Sequence, residues 1–301
     1  MSIADEQRVS ASGATTAQSA SQPDAYSPQV IRKLNALTSD FYAREAASFS
    51  ATRQAPWHGW EKAWELITAP DAAQGPFPSH AAVRDSLSSR AARIPDDYAS
   101  NSKDSLAVLD LGCGNLRFER FLAERTNAPL RVTALDNCPD LASPEIGALS
   151  AAFPHSLRSS SAASKTKEED ASGQGANPPE KTIVDLRALD IVESLLDGTF
   201  ADRLPRNSHD LAVAFGLMHH LPTFALRARV LEGILGSLRP GGFAVVSFWQ
   251  FLNDPAKRAK IEQTHAEALA FFAGSLEPND YFLGWKNEPG NYRYCHHFSN
   301  E

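Results

Sequence analysis

The run Ala107-Val108-Leu109-Asp110-Leu111-Gly112-Cys113-Gly114 constrains the fold more than any other stretch of the 301 residues. Four apolar side chains and one acid make a short strand suited to burial, and two closely spaced glycines stop it. Phe118, Phe121 and Leu122 follow at helical spacing. A strand that turns over glycines into a helix opens a βαβ unit. The alternation then continues. Leu130 to Leu135 reads as a second strand ending at Asp136, about Thr182 to Leu189 as a third ending at Asp190, and Asp210 to Phe215 as a fourth. A helix is predicted from Phe224 to Leu238, then a Pro240-Gly241-Gly242 turn and a fifth strand from Phe243 to Trp249. Strands alternating with helices predict an α/β fold, a parallel sheet covered on both faces.

The flanks read differently. Residues 1–25 are rich in Ser, Ala, Thr and Gln and are expected to be a disordered tail. Residues 26–103 are expected to form a helical N-terminal cap. Ser27 is a plausible N-cap with Pro28 at the first helical position, and Val30, Leu34, Leu37 and Phe41 share one face. Trp60, Trp64 and Ile67 suggest a second helix after Pro56-Trp57, and Val83 and Leu87 a third before Pro95. Residues 104–301 then make the catalytic domain. Within it, 150–181 is charged and of low complexity, a floppy insertion at the sheet edge away from the ligand crevice.

Composition narrows the class. With 43% hydrophobic and 22% charged residues, the chain is neither disordered throughout, collagen-like nor a disulfide miniprotein. No apolar run approaches the roughly 20 residues of a membrane span, and the polar start MSIADEQRVS is no secretory signal. The expectation is a cytoplasmic protein without a membrane partner. A net charge of −7 argues against binding nucleic acid by bulk electrostatics and leaves a local basic patch open. Cys113, Cys138 and Cys295 are far apart with no Cys-x-x-Cys pair, so no disulfide framework, zinc ribbon or other metal site is expected.

The acids at the strand ends carry the chemistry. Asp110 lies two residues before Gly112, and Asp136 ends the next strand 26 residues on. A carboxylate at that second position accepts both hydroxyls of a ribose, and Asp190 is placed to accept from an adenine amino group. Three acids around one crevice suit a nucleoside with a cationic centre and no phosphates. A nicotinamide dinucleotide prefers Gly-x-Gly-x-x-Gly, and Arg117 stands where its third glycine belongs.

These residues resemble the class I S-adenosylmethionine-dependent methyltransferases. The resemblance extends to Leu238-Arg239-Pro240-Gly241-Gly242-Phe243 before the fifth strand and to Met218-His219-His220-Leu221 after the fourth. It implies a Rossmann-like fold and S-adenosyl-L-methionine as cofactor. Asp110, Gly112, Cys113 and Gly114 would surround the methionine part, Asp136 and Asn137 the ribose, and Asp190 and Ile191 the adenine, with Phe215 also at the cofactor. Leu116 stands where the family often has a third glycine and is expected to narrow the pocket.

A narrower resemblance covers residues 49–298. Phe49-Ser50-Ala51-Thr52-Arg53-Gln54-Ala55-Pro56-Trp57 is similar to the F-x-x-T-R-x-x-P-W segment of the tRNA wobble-uridine methyltransferases, which esterify a carboxymethyl group. Ala214 to Leu221, Trp249 and Arg293-Tyr294-Cys295-His296 match further segments, with Cys295 replacing a Tyr. The resemblance implies tRNA as acceptor, Arg53, Arg293 and His296 as substrate anchors, His219 in the catalytic set, and for some members a small zinc-binding activator protein as partner. His219 and His220 also read as helix caps, and Trp57, Trp60 and Trp64 as core. A small-molecule O- or N-methyltransferase, which the acidic charge favours, and a catalytically inactive cofactor-binding partner protein stand as alternatives. In the family, another helix and two strands follow the R-Y-Y-H segment. The expectation here is that those C-terminal strands are missing or that the order of elements differs.

Overall fold

The computed structural model describes residues 26–68, 105–126, 128–142, 157–159, 182–272, 274–286 and 288–299. The expected tail, the third cap helix and most of the expected insertion lie outside them. Helix α1 (Pro28–Ala51) starts as its sequence dictates, with Pro28 in the first turn and the Ser27 side chain accepting the Val30 amide. Ile31, Leu34, Thr38 and Phe41 are buried along one face. Helix α2 (His58–Thr68) buries Trp60 and Ile67. Among the described residues no helix is long and apolar enough to cross a membrane.

The remaining elements are β1 (Leu106–Leu111), α3 (Arg117–Arg125), β2 (Leu130–Asp136), β3 (Leu157–Ser159), β4 (Ile183–Ala188), α4 (Ile191–Leu196), α5 (Phe200–Arg203), β5 (His209–Ala214), α6 (Phe224–Ser237), β6 (Leu238–Val246), α7 (Pro255–Leu269), β7 (Asp280–Gly284) and β8 (Tyr292–His296). Strands β1 to β6 form one parallel sheet in the order β3-β4-β2-β1-β5-β6. Setting aside β3, this is the order of an open Rossmann-like sheet, wound outward from β1 in both directions. Side chains alternate across β1. Leu109 and Leu111 join Leu34, Leu195 and Ile234 on one face, while Val108 joins Trp60, Phe121 and Leu122 on the other. Burial on both faces explains why β1 and β5 read as near-continuous apolar runs.

Two expectations change, and a third gains detail. Pro240-Gly241-Gly242 is not a turn before the last parallel strand but lies within β6. The pairing jumps from His209–Leu238 to Leu211–Phe243, so β6 bulges, with Gly241 at φ 84° absorbing the kink. The segment expected as a structureless insertion contributes β3, which pairs in register with Val184, Asp185 and Leu186. Among the described residues no helix or strand follows Arg293-Tyr294-Cys295-His296, and the C-terminal strands add nothing to the parallel sheet. Instead β7 and β8 pair antiparallel as a separate sheet, and β8 docks on α1, where the Tyr294 amide donates to Thr38 Oγ1. Buried Asp280 fixes this docking, accepting from the hydroxyls of Tyr26 and Tyr294 and pairing with His296 Nδ1.

Candidate functional site

The chain runs outward from β1 through β2 to β4 and then returns to β5 on the other side of β1. The loops after β1 and β5 therefore part, and a crevice opens at their carboxyl ends. A cleft of about 1060 Å³, its solvent mouth included, fills that place, on the scale of a cofactor site. Its floor is Asp110, Gly112, Cys113 and Gly114 after β1, Asp136 and Asn137 after β2, Asp190 and Ile191 after β4, and Phe215 and Gly216 after β5. Its roof comes from α1, α2 and the segment between them: Asn35, Thr38, Tyr42, Phe49, Arg53 and Trp57.

The glycine turn is held by the next strand. Gly112 and Gly114 take φ of 72° and 55°, which side chains resist. Asp136 Oδ2 accepts the Gly114 amide at 2.9 Å, and its Oδ1 accepts the Cys138 amide at 2.8 Å. A carboxylate has about four acceptor positions, so these amides leave Asp136 some acceptor capacity, and the residue lines the cleft. Burial raises the Asp136 carboxyl above its ordinary range, with the amides of Cys138, Gly114 and Asn137 opposing. Asp190 also has structural work: its Oδ1 caps α4 through the Glu193 amide and its Oδ2 accepts from Asn35 Nδ2. Asn137 is exposed and donates to Ser39 Oγ.

Asp110 is 2% exposed and its Oδ1 has no hydrogen-bond partner. Glu119, on α3, is buried beside it with neither carboxylate oxygen hydrogen-bonded. Burial, and then the Glu119 charge, hold the Asp110 proton well above the usual carboxylate range, and burial pushes Glu119 up to about 7. With both carboxyls raised, the buried pair beneath the glycine turn holds a proton between its members rather than two full negative charges. Burial likewise raises the Cys113 thiol, leaving it neutral against the turn.

Leu116 does not narrow the cleft. It adopts φ 55°, ψ 26° before α3, and its side chain is wholly buried among Trp60, Phe118, Phe121 and Leu122. It keeps the left-handed backbone that a glycine gives there and points its side chain into the core.

The roof is strapped to α3. Asn115 Nδ2, Arg120 Nη2 and Arg117 Nη1 donate to the backbone oxygens of Arg53, Gln54 and Ala55 at 2.9, 2.7 and 2.9 Å. The Arg53 guanidinium lies 3.6 Å over the Phe49 ring and 4.8 Å from that of Trp285. It donates to Thr52 Oγ1, and among the described residues no carboxylate pairs with it. Burial pulls Arg53 down to about 10, with Arg293 and Arg117 adding to the effect and Tyr42 opposing it, so it stays charged at neutral pH.

Of the residues singled out in the sequence, all but three line this cleft. His219 turns into the core, 1% exposed, its ring stacked at 4.0 Å on Trp249. Arg293 is buried against Phe41, 4.6 Å from the ring centroid, and opens toward a second cleft beside α7. His296 pairs with Asp280 on the docking side of β8. It is His220 that faces the main cleft. Its Nδ1 lies 2.8 Å from the Tyr294 carbonyl, which only accepts, so Nδ1 carries the proton and Nε2 accepts from Tyr42 at 2.9 Å. Burial pulls His220 down to about 3. Sequence reasoning also missed Asn35, Thr38 and Tyr42, although their spacing on α1 is a helical stripe beside the one assigned to the core.

No family model and no curated protein matches this chain. Its fold is similar to solved structures. One is a SAM-dependent methyltransferase from Methanosarcina mazei, 16% identical, covering 65% of this chain and 74% of that one at a TM-score of 0.41. A second is 1,6-didemethyltoxoflavin-N1-methyltransferase from Burkholderia thailandensis, 15% identical, covering 82% and 76% at 0.35. A third, an S-adenosylmethionine dependent methyltransferase from Mesorhizobium loti, is 21% identical and covers 47% and 45% at 0.28.

Proposed function

We propose that this chain is an S-adenosylmethionine-dependent methyltransferase acting on an anionic oxygen. The observation that carries the reading is the buried Asp110 carboxyl, with one oxygen unpartnered, beneath the Gly112–Gly114 turn and beside Asp136 at the switch point of the sheet. The residues fit the cofactor. Asp110 lines the cleft where the amino group and sulfonium would lie, Asp136 keeps acceptor capacity for a ribose hydroxyl, and nothing lies within 4 Å of a Cβ added at Gly114. Bound there, the cofactor supplies an electrophilic methyl group. Asp190, occupied as a helix cap, orders the adenine wall through Ile191.

The acceptor reading follows from what the cleft lacks. His220 is neutral and its basic nitrogen is engaged by Tyr42, so the site suits a nucleophile that is already ionised. A carboxylate is ionised near neutral pH, and an Arg without a carboxylate partner grips it through two donors. Arg53 fills that role in the roof, and the strapped segment excludes water. The carboxymethyl group of a tRNA wobble uridine is the first acceptor to test, with a small zinc-binding activator protein as a partner to add. A small-molecule carboxylate is the second reading, favoured by the closed roof and the net charge of −7.

The test is methyl-labelled S-adenosylmethionine incubated with the protein and extract from its own host, followed by separation of RNA, protein and small molecules. Label in tRNA, absent with Asp136→Ala and reduced with Arg53→Ala, is the expected result. Label among small molecules replaces the tRNA acceptor with the second reading. Cofactor binding without label in any fraction, activator included, makes the chain a non-catalytic binding protein. No binding in a cofactor titration overturns the reading altogether.

A further inference from the structure

Behind the cleft, the fold gathers three metal-ligand side chains from two distant stretches of sequence. His219 and His220 lie on the short 3-10 helix Met218–His220 after β5, and Cys295 lies on β8. One ligand atom from each falls within 4.8 Å of the others. The Cys295 sulfur is fully buried and 3.9 Å from His220 Nδ1. His219 is the telling residue. It is almost wholly buried, yet neither ring nitrogen has a hydrogen-bond partner. An unsatisfied buried polar atom costs about 1–3 kcal/mol. The stack on Trp249 holds the ring in place without satisfying either nitrogen.

We propose that His219, His220 and Cys295 form a binding site for a borderline-soft divalent cation, with Zn²⁺ the best fit. Two imidazoles and a thiolate are a donor set that zinc takes and that magnesium and calcium do not. Zinc bonds of about 2.0–2.3 Å place tetrahedral ligand atoms roughly 3.3–3.8 Å apart. Closing from 4.8 Å therefore takes about an ångström of side-chain movement. The surroundings serve the site. The sulfur lies on the Nδ1 side of His220, so an ion there takes Nδ1 in place of the hydrogen bond that Nδ1 donates to the Tyr294 carbonyl, and the ring proton moves to Nε2. Tyr42 oxygen, 2.9 Å away, then changes from donor to acceptor, the outer-shell hydrogen bond that orients metal-bound imidazoles. Burial raises the Cys295 thiol to about 12 and the Asp280 charge adds to this, while the Arg293 guanidinium beside the sulfur opposes it, so the ion itself must displace the thiol proton. Binding releases the thiol proton to solvent. The ion would tie the turn after β5, which carries a cleft residue, to the C-terminal strand pair.

The site shares His220 with the main cleft, but its test needs no activity. The whole chain, stripped with chelator, is titrated with Co²⁺ alone and then with Zn²⁺. The expected result is one Co²⁺ per chain, a near-ultraviolet thiolate-to-cobalt band, visible bands of tetrahedral intensity, and displacement of all of them by Zn²⁺. Cys295→Ser removes the thiolate band, and His219→Ala weakens binding at least tenfold, with circular dichroism recording that each variant folds. The Cys113→Ser/Cys138→Ser variant leaves Cys295 as the sole thiol of the three and keeps the band without touching the cluster. Absence of a thiolate band in the unmodified chain, or its loss in that double variant while the fold is retained, overturns the proposal.

Discussion

Leu116 offers a test of the backbone that carries the site. It holds φ 55°, a conformation that costs a side-chain-bearing residue about 1–2 kcal/mol, and it is wholly buried. Replacing it with Ala keeps the strain and empties the core, at about 2–5 kcal/mol for a buried Leu. Replacing it with Gly releases the strain but also removes the buried Cβ methyl, at about 0.8 kcal/mol. Against that release stands about 0.4–1 kcal/mol of added unfolded-chain freedom. Leu116→Gly is therefore expected to lie within about 1 kcal/mol of Leu116→Ala, with both below the natural chain. Leu122 is the internal control, because it is equally buried but helical, on α3. There Gly is expected to be worse than Ala by about 1 kcal/mol. Urea melts of the four variants, followed by tryptophan fluorescence, measure both differences, and Trp60 in the same cluster reports directly. The outcome that refutes the reasoning is a Gly variant as far below its Ala partner at 116 as at 122. That would mean Leu116 carries no left-handed strain.

The buried acids give a pH signature. Glu119 is raised from 4.5 to about 7 by burial, so the native state holds a proton that the unfolded state has lost across that window. Stability is then full below about pH 4.5 and declines as pH rises toward 7. Melting temperature should trace that decline in the natural chain and flatten in Glu119→Gln; an unchanged slope would assign the decline elsewhere. In α6, a Cβ at Gly233 would sit 2.6 Å from Phe200 Cε1 and 2.9 Å from Leu204 Cδ1, while at Gly236 nothing lies within 4 Å. Gly233→Ala should cost about 1–3 kcal/mol and Gly236→Ala should gain up to about 1 kcal/mol. Thermal melts of the pair check the sign at each position.

What the sequence disclosed follows from how local each signal is. Strands β1, β2, β4 and β5 were legible because a parallel strand buried on both faces writes an uninterrupted apolar run. Asp136 was legible because an acid ending such a run has few structural uses. The β6 bulge was not, because Pro240-Gly241-Gly242 has the same composition whether it ends a strand or kinks one. The choice between His219 and His220 was not, because adjacent residues leave a 3-10 turn in different directions and only the position of Tyr42 and β8 selects the one facing the cleft. The His219–His220–Cys295 cluster lay beyond any spacing rule, since its members meet only when β8 docks on α1.

The same docking explains how two halves of the site are held as one. Asn115 and Arg117 flank Leu116, and Arg120 lies one turn on. Their side chains grip the backbone of 53–55 from below. The left-handed turn at Leu116 thus sets two things at once: the start of α3 under the glycine loop and the direction in which Asn115 leaves it. Above the strap, Arg53 and Arg293 approach Trp285 from 4.8 and 6.0 Å, with Arg293 also over Phe41 of α1. A displacement of β8 would therefore move Arg53 in the roof, while a displacement of α3 would move the roof and the floor of the cleft together. The strained leucine costs stability where it stands, and what it secures is the alignment of the two binding halves across the cleft.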